Sequence, residues 1–209
     1  MEFAVGDLTS EAGYKLLIGS VVPRPIAWVS TLSAKGHGNL APFSAFTFLS
    51  HDPPMVGIGI ARRKNNDALK DTAKNIMREK EFVVNIANLP LIEALHRSSF
   101  EFPEDESEIE ALGLQTMPSR DVRPPRLADA PIALECRLHQ IIEFGERRQQ
   151  LVVGEVLRFQ VRDDLCHDGK IDSYALNPVA RLGGPSYATL GEKLTFGPVG
   201  MLLPRSTIR

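Results

Sequence analysis

Hydrophobic and polar positions alternate most regularly in the second half of the chain. From residue 132 to residue 142 every second position is mostly apolar, and a similar stretch runs from Leu151 to Val161 after a turn at Gly145. Period-two patterning is typical of strands, so these stretches are predicted to form an antiparallel hairpin. Strict alternation would put Glu155 on the apolar face. We therefore expect a β-bulge near Gly154 or, as the less favoured alternative, a buried carboxylate with a partner.

The first half of the chain mixes short strand patterns with short helix patterns. A strand pattern of β-branched and aromatic residues runs from Ile26 to Leu32, and a loop at residues 35–38 predicts a hairpin there. The other predicted elements are a helix that starts at Thr9 or Ser10 and ends before Pro23, a helix from Asn66 to Arg78, a strand over residues 82–86, a helix over residues 90–100 and a short helix ending near Gly113. Strands and helices do not alternate regularly, which argues against a doubly wound sheet. The pattern indicates a mainly β protein, a mostly antiparallel barrel with a few helices.

Two glycines share one face of a predicted strand. In the run from Val56 to Ile60, three aliphatic residues alternate with Gly57 and Gly59. Something must approach this glycine face closely. A neighbouring strand or a barrel corner is at least as well supported as contact with a ligand.

Composition and charge narrow the class of protein. The 209 residues are 43% hydrophobic, and no linker-like stretch divides them, so one domain over residues 1–209 is expected, with a C-terminal tail from about residue 192. A net charge of -2 gives no general attraction to nucleic acid or to an anionic membrane. The acidic N-terminus is unlike a secretory signal, and no uncharged run is long enough to span a bilayer. We expect a cytoplasmic protein with two reduced cysteines.

A basic segment directly before a predicted helix is the clearest local candidate for chemistry. Arg62, Arg63 and Lys64 precede the helix start, where exposed amides and the helix dipole favour anions. Thr72 and Asn75 lie three positions apart and share a helix face, so a hydroxyl and an amide could reach one ligand. A phosphate would fit this arrangement. Considered alone, a solvated basic turn is the simpler interpretation.

Other groupings of reactive residues are weaker. Cys166, His167 and Asp168 are adjacent, but no further cysteine or histidine lies at ligand spacing, and the following Gly169 favours a turn. This segment is predicted to be a hairpin loop. The remaining histidines are scattered and no nucleophile, P-loop or dinucleotide motif organises them. The sequence therefore predicts no catalytic side chain and no metal site.

Several motifs in a fixed order resemble a known family. They are residues 23–31 (PRPIAWVST), residues 39–46 (NLAPFSAF), residues 52–54 (DPP), residues 70–76 (KDTAKNI) and residues 177–184 (NPVARLGG) with Tyr187. Together they resemble the flavin reductase-like family, whose fold is the FMN-binding split β-barrel of antiparallel, Greek-key type. The resemblance covers roughly residues 14 to 187. It implies that this chain adopts that fold and binds FMN.

The resemblance also assigns roles to particular positions. It implies that the phosphate of FMN is held by Arg62, Lys64, Thr72 and Asn75. It implies that the ribityl chain and the isoalloxazine ring are lined by Arg24, Asn39, Ala41, Ser44, Phe46 and Thr47. Arg24 is a candidate for the positive charge that favours a reduced flavin.

An activity and an assembly follow from the same resemblance. It implies hydride transfer from NADH or NADPH to FMN, with the electrons passed on to an acceptor, in a homodimer whose flavin lies near the interface. Since the cofactor carries such chemistry, the missing catalytic triad does not count against it. The apolar residues 195–203 could cover a neighbouring subunit or pack on their own subunit. A non-enzymatic FMN carrier is the alternative, and an oxidase of pyridoxamine-type substrates has no specific support.

Overall fold

The protein is described from a computed structural model, which covers residues 1–63, 65–103 and 106–196. The helices are α1 (Ser10–Ser20), α2 (Asp71–Glu79), α3 (Ile92–Arg97), α4 (Glu108–Ala111) and α5 (Ser173–Leu176). The strands are β1 (Arg24–Pro25), β2 (Ala27–Leu32), β3 (Gly38–Phe43), β4 (Phe46–His51), β5 (Pro54–Ile60), β6 (Glu81–Ile86), β7 (Thr116–Met117), β8 (Arg126–Leu127), β9 (Ile132–Phe144), β10 (Gln149–Val161), β11 (Cys166–His167), β12 (Lys170–Ile171), β13 (Ala180–Arg181) and β14 (Tyr187–Ala188). Short 3-10 turns lie at Val5–Asp7, Leu89–Leu91 and Asp163–Leu165. Within the described residues, no helix is both long and apolar enough to cross a membrane.

A curled antiparallel sheet forms the body of the protein. Among the described residues it has seven strands in the order β3-β2-β6-β9-β10-β5-β4. The two edge strands, β3 and β4, are consecutive in the chain and are joined by Ser44 and Ala45. The carbonyl of Ala45 accepts the Gly59 N–H of β5 at 2.7 Å, which extends the pairing of β4 with β5 into this connection between the edges. The sheet is otherwise open between these edges, which confirms the mainly β, split-barrel fold expected from the sequence.

The central hairpin and its bulge confirm the pattern of the second half. β9 and β10 pair along almost their whole length, and the register shifts between Val153 and Gly154, as expected. The glycines of β5 face β4: a Cβ on Gly59 would lie 2.8 Å from the Cβ of Ala45, and one on Gly57 would lie 2.9 Å from Leu49 Cδ1. The close neighbour of the glycine face is therefore a strand.

Strand β2 is buried on both faces and separates two apolar clusters. Ala27 and Val29 face the barrel interior, which α2 closes with Ala73 and Ile76. Trp28 faces the other cluster, beneath α3, and its Nε1 donates to Ser98 Oγ at 2.9 Å. The position of α2 follows from this packing, since its apolar side chains fill one end of the barrel.

The helix predicted from Asn66 begins five residues later, at Asp71. Asn66 Oδ1 accepts the Ala68 N–H at 3.1 Å, and Asp67 adopts a left-handed φ of 54°. Both features are typical of turns and interrupt a right-handed helix. The region predicted to be helical over residues 90–100 is likewise a 3-10 turn followed by the short α3. The predicted hairpin at Cys166–Lys170 is confirmed as β11 and β12.

Candidate functional site

The first turn of α2 concentrates hydrogen-bond donors. Its N-cap residue is Lys70, whose ammonium group can only donate hydrogen bonds. The Lys70 side chain therefore does not cap the first backbone N–H groups of the helix. Lys70 Nζ lies 5.6 Å from the centre of the Phe43 ring at the end of β3. Asp71 is neutralised by Arg63 at 2.5 Å and Lys74 at 3.1 Å. The turn therefore carries an excess of positive charge next to amides that favour an anion.

Three of the predicted site residues meet between α2 and the neighbouring strands. Asn39 Nδ2 of β3 donates to Thr72 Oγ1 at 3.4 Å. Asn75 Nδ2 donates to Thr31 Oγ1 of β2 at 3.1 Å, and its Oδ1 accepts from Arg78 at 3.0 Å. Thr72 and Asn75 are both buried, as expected of side chains that share a helix face against the sheet. The amide of Asn75 thus positions α2 on β2.

Arg62 lies on the other side of this turn. Its guanidinium donates to the carbonyl of Asp67 at 3.1 Å and to that of Arg148 at 3.4 Å. Its NH2 lies 3.7 Å from a carboxylate oxygen of Glu143. The structure therefore directs Arg62 towards the β9–β10 turn, whereas Thr72 faces Asn39 on β3. Lys64 lies outside the described residues.

The segment predicted to line the flavin ring uses its side chains in different ways. Ala41 and Phe46 are partly buried and pack against the barrel core. Thr47 is exposed on the edge strand β4, where its hydroxyl donates to the carbonyl of Phe48 at 3.2 Å. Ser44 lies between the two edge strands and accepts from Arg24 Nε at 3.5 Å. Because their side chains point into the core, Ala41 and Phe46 would contact a ligand on the outside of the barrel mainly through their backbone atoms.

Arg24 joins three distant parts of the chain. Besides contacting Ser44, its NH1 donates to the carbonyls of Ile18, at 2.5 Å, and Val21, at 2.8 Å, at the C-terminal end of α1. Its NH2 donates to the carbonyl of Leu182 at 2.8 Å. A guanidinium is well suited to this because it offers five donors in a fixed plane. Arg24 therefore fixes α1 and the segment after β13 beside Ser44.

The closing motif forms a second polar cluster near β1. Arg181 is opposite Arg24 in the β1–β13 pair. Its guanidinium lies over the Tyr187 ring, 4.6 Å from the ring centre, and its NH1 donates to the Tyr187 hydroxyl at 2.5 Å. The Tyr187 oxygen lies 3.0 Å from His96 Nδ1, and burial raises the pKa of Tyr187. The sequence placed Tyr187 in the family motif but gave no sign of its contact with His96.

A small polar cleft between the β2–β3 loop, α2 and α4 contains a residue that the sequence reasoning missed. It is lined by Asn39, Asn75 and His37 together with Glu108. Glu108 Oε2 accepts the Leu40 N–H of the edge strand β3 at 2.9 Å, and burial raises the pKa of this carboxyl group. Glu108 thus provides a hydrogen-bond acceptor for a backbone N–H on the edge of β3 that pairs with no described strand, next to the predicted phosphate site. In the described ranges, no cluster of three metal-ligating side chains is present.

Comparisons with known proteins identify the family of this chain. The family model for the flavin reductase like domain matches residues 18–174. A protein from Halalkalibacterium halodurans is 41% identical over 196 residues, which cover 92% of this chain and 93% of that protein.

Two solved structures share the fold over nearly the whole chain. Nitrilotriacetate monooxygenase component B from Bacillus cereus is 34% identical, with a TM-score of 0.90 and coverage of 94% of this chain and 98% of that chain. The 2-nitrobenzoate 2-nitroreductase of Pseudomonas fluorescens is also 34% identical, with a TM-score of 0.88 and coverage of 98% and 100%. Since the family match spans most of the sequence and these relatives align from end to end, the chain belongs to the flavin reductase-like family.

Proposed function

We propose that this protein binds FMN and transfers hydride to it from NADH or NADPH, with the electrons then passed to an acceptor. The observation that supports this most directly is the contact between Asn39 and Thr72. It joins β3, which leads into the segment predicted to line the ring, to the first turn of α2, where an anion is favoured. The two halves of the predicted cofactor site are therefore joined by a direct side-chain contact.

The donor chemistry at α2 fits a phosphate group. The amides of the first turn, the Thr72 hydroxyl and the Lys70 ammonium all donate hydrogen bonds, and a phosphate only accepts them at neutral pH. Among the residues proposed for the phosphate, Thr72 lies at the helix start itself. Asn75 would act by holding the helix, and Arg62 and Lys64 would add positive charge. This division of roles refines the prediction made from the sequence.

The length of β3 fits the rest of the cofactor. From Asn39 to Ser44 the extended chain spans about 16 Å, since a strand rises roughly 3.3 Å per residue. We assign the phosphate to the α2 end of this stretch and the ring to the segment that follows, along Ala41, Ser44, Phe46 and Thr47. When bound, FMN would supply the ring that accepts hydride. Arg24 would orient this end of the site through Ser44.

We also propose that residues 1–209 form one domain that assembles as a homodimer. Phe48 and Leu49, on the edge strand directly after the ring segment, are 78% and 45% exposed. Adjacent exposed apolar residues on a strand edge are typical of an interface. A second copy that covered β4 would also border the flavin. Sedimentation velocity with FMN present tests this, and a monomer at micromolar concentration would contradict it.

Anaerobic reduction separates the proposed enzyme from an FMN carrier. Purified protein loaded with FMN should lose its flavin absorption when NADH or NADPH is added without oxygen. FMN that binds but stays oxidised for many minutes with both nucleotides would support the carrier. Failure to bind FMN would contradict both functions.

Replacement of Thr72 by valine tests the phosphate site. Thr72→Val keeps the shape of the side chain and removes the hydroxyl, and a hydrogen bond to a charged group contributes roughly 1.5 to 3 kcal/mol. We expect the affinity for FMN to fall about tenfold or more, while the affinity for riboflavin changes little. Thr72→Ser, which retains the hydroxyl, should restore most of the FMN affinity. Equal losses for FMN and riboflavin in calorimetric titrations would instead indicate a general defect of the site.

A further inference from the structure

The short helix α4 lies along the edge of β3 that pairs with no described strand. Its Ile109 side chain is buried with Leu40 of β3 in the apolar cluster beneath α3. A Cβ on Gly38, at the start of β3, would lie only 2.9 Å from Ile109 Cδ1. The close approach of α4 to this strand therefore requires a glycine there.

Glu108 makes a polar contact between α4 and this edge. Its Oε2 accepts the Leu40 N–H at 2.9 Å. Ser107, the N-cap of α4, accepts the Glu110 N–H at 3.4 Å and so begins the helix directly before Glu108. The backbone of β3 at Leu40 is therefore held by a side chain whose own position is fixed by a cap and by the buried neighbour Ile109.

Asn39 precedes Leu40 and faces the other way, towards α2. Successive side chains of a strand point to opposite faces, so the backbone that holds Leu40 also sets the position of Asn39. Asn39 Nδ2 donates to Thr72 Oγ1 at 3.4 Å, which is longer than a typical N–H···O bond. A small displacement of β3 away from α2 would break this bond.

The direction of this bond determines what Thr72 can offer to a ligand. A threonine hydroxyl has one proton to donate and two lone pairs that accept. Because Asn39 donates to the oxygen, the proton of the hydroxyl is left for an acceptor at the first turn of α2. A phosphate is such an acceptor. Without Asn39, the hydroxyl would lose the donor that fixes its rotation.

We propose that Glu108 is a positioning residue of the phosphate site, an inference that rests on the proposed function. It holds the Leu40 N–H and thereby keeps Asn39 within reach of Thr72, whose proton is then directed to the phosphate. Glu108 acts on the phosphate through β3 and not by contact with it. The length of its side chain, which lets it reach Leu40, should therefore increase the affinity for FMN.

The charge of Glu108 should act in the opposite direction. Burial, and after it the charge of Asp71, raises the pKa of Glu108, so its carboxyl group lies within electrostatic reach of the first turn of α2. A negative charge there opposes the binding of an anion. Reach and charge can therefore be separated by substitution.

Two variants of Glu108 separate the two effects. Glu108→Asp keeps the charge but is one methylene too short to meet Leu40, whereas Glu108→Gln keeps the length and an acceptor oxygen without the charge. We expect Glu108→Asp to weaken FMN about fivefold, the order expected for one neutral hydrogen bond, and Glu108→Gln to bind FMN at least as well as the wild type. Riboflavin affinity should not change in either variant. Glu110→Asp, the same shortening at an exposed position of α4, is the control and should change neither ligand.

A double variant and hydrogen exchange test the route through β3. In an Asn39→Ala background, Glu108→Asp should weaken FMN no further, because the residue through which it acts is gone. The Leu40 amide should exchange faster in Glu108→Asp and at about the wild-type rate in Glu108→Gln. Calorimetric titration with FMN and riboflavin and NMR-detected exchange provide these measurements.

The outcomes separate this inference from the proposed function. Wild-type protein that binds FMN no better than riboflavin would contradict the phosphate site itself. Where the wild type prefers FMN, an unchanged FMN affinity in Glu108→Asp, an equal loss in Glu108→Asp and Glu108→Gln, or the full loss in the absence of Asn39 would each overturn the role of Glu108. A Glu108→Asp variant that is less stable in urea but binds FMN normally would reduce the residue to a structural contact of α4.

Discussion

Replacement of Gly154 by alanine should destabilise the fold by about 3 kcal/mol, because overpacking a well-filled core typically costs this order of free energy. A Cβ at this position would lie 2.3 Å from Cζ and 2.9 Å from Cε1 of Phe82. Phe82 is fully buried in the main apolar cluster, so its ring cannot move aside without disturbing neighbours. Urea unfolding followed by the fluorescence of Trp28, the sole tryptophan, measures the change.

Two further variants identify the cause of this loss. Gly13→Ala in α1 meets nothing within 4 Å and should raise the free energy of unfolding by about 0.5–1 kcal/mol, because alanine is the better helix former. The double variant Gly154→Ala with Phe82→Leu should be more stable than the sum of the two single changes predicts. An unchanged stability of Gly154→Ala, or strict additivity in the double variant, would contradict steric conflict with Phe82.

Periodicity predicted the large elements well because their packing is reflected in neighbouring residues. The β9–β10 hairpin and its bulge follow from alternation and from one glutamate at an unsuitable position. The start of α2 was predicted wrongly because residues 65–70 (NNDALK) offer a capping asparagine and an acidic first turn, and because Leu69 continues the apolar stripe of the helix. Their turn depends on the amide of Asn66 and on the left-handed Asp67, and propensities do not distinguish these from an N-terminal helical turn.

The candidate site was predictable where a motif is local and much less so where partners are distant. Thr72 and Asn75 could be placed on one helix face from their spacing alone, and their burial agrees with it. The partners of Arg24 could not be inferred, because they are backbone carbonyls, one of them 158 positions away at Leu182. A carbonyl exists at every residue, so the sequence contains no signal for this contact. Glu108 was missed for the same reason, since it binds the backbone N–H of Leu40.

Glu135 is a buried carboxylate that the alternating pattern of β9 did not reveal, because its position falls on the face that the pattern assigns to polar residues. It lies on β9 and is fully buried, and its carboxylate holds the loop before β8. Its oxygens accept the Arg120 N–H at 3.1 and 3.0 Å, the Asp121 N–H at 2.6 Å and Gln160 Nε2 at 3.2 Å. Three donors therefore depend on one side chain. A buried carboxylate is tolerated when it is fully hydrogen-bonded in this way.

Removal of this carboxylate should be the most destabilising single change considered. Glu135→Ala leaves three donors without their acceptor, and each bond to a charged group contributes roughly 1.5–3 kcal/mol, so we expect the free energy of unfolding to fall by about 4 kcal/mol. Glu135→Gln should lose somewhat less, because its amide retains one acceptor oxygen but turns an NH2 group towards the backbone donors. Faster hydrogen exchange at the amides of Arg120 and Asp121 should accompany both changes.

Glu155→Ala is the control for this prediction, since Glu155 forms a partly exposed ion pair with Arg137 at 3.3 Å and its loss should change stability by about 0.5 kcal/mol or less. If Glu135→Ala were no less stable than Glu155→Ala, or if the two amides exchanged at the wild-type rate, Glu135 would not be the residue that holds this loop.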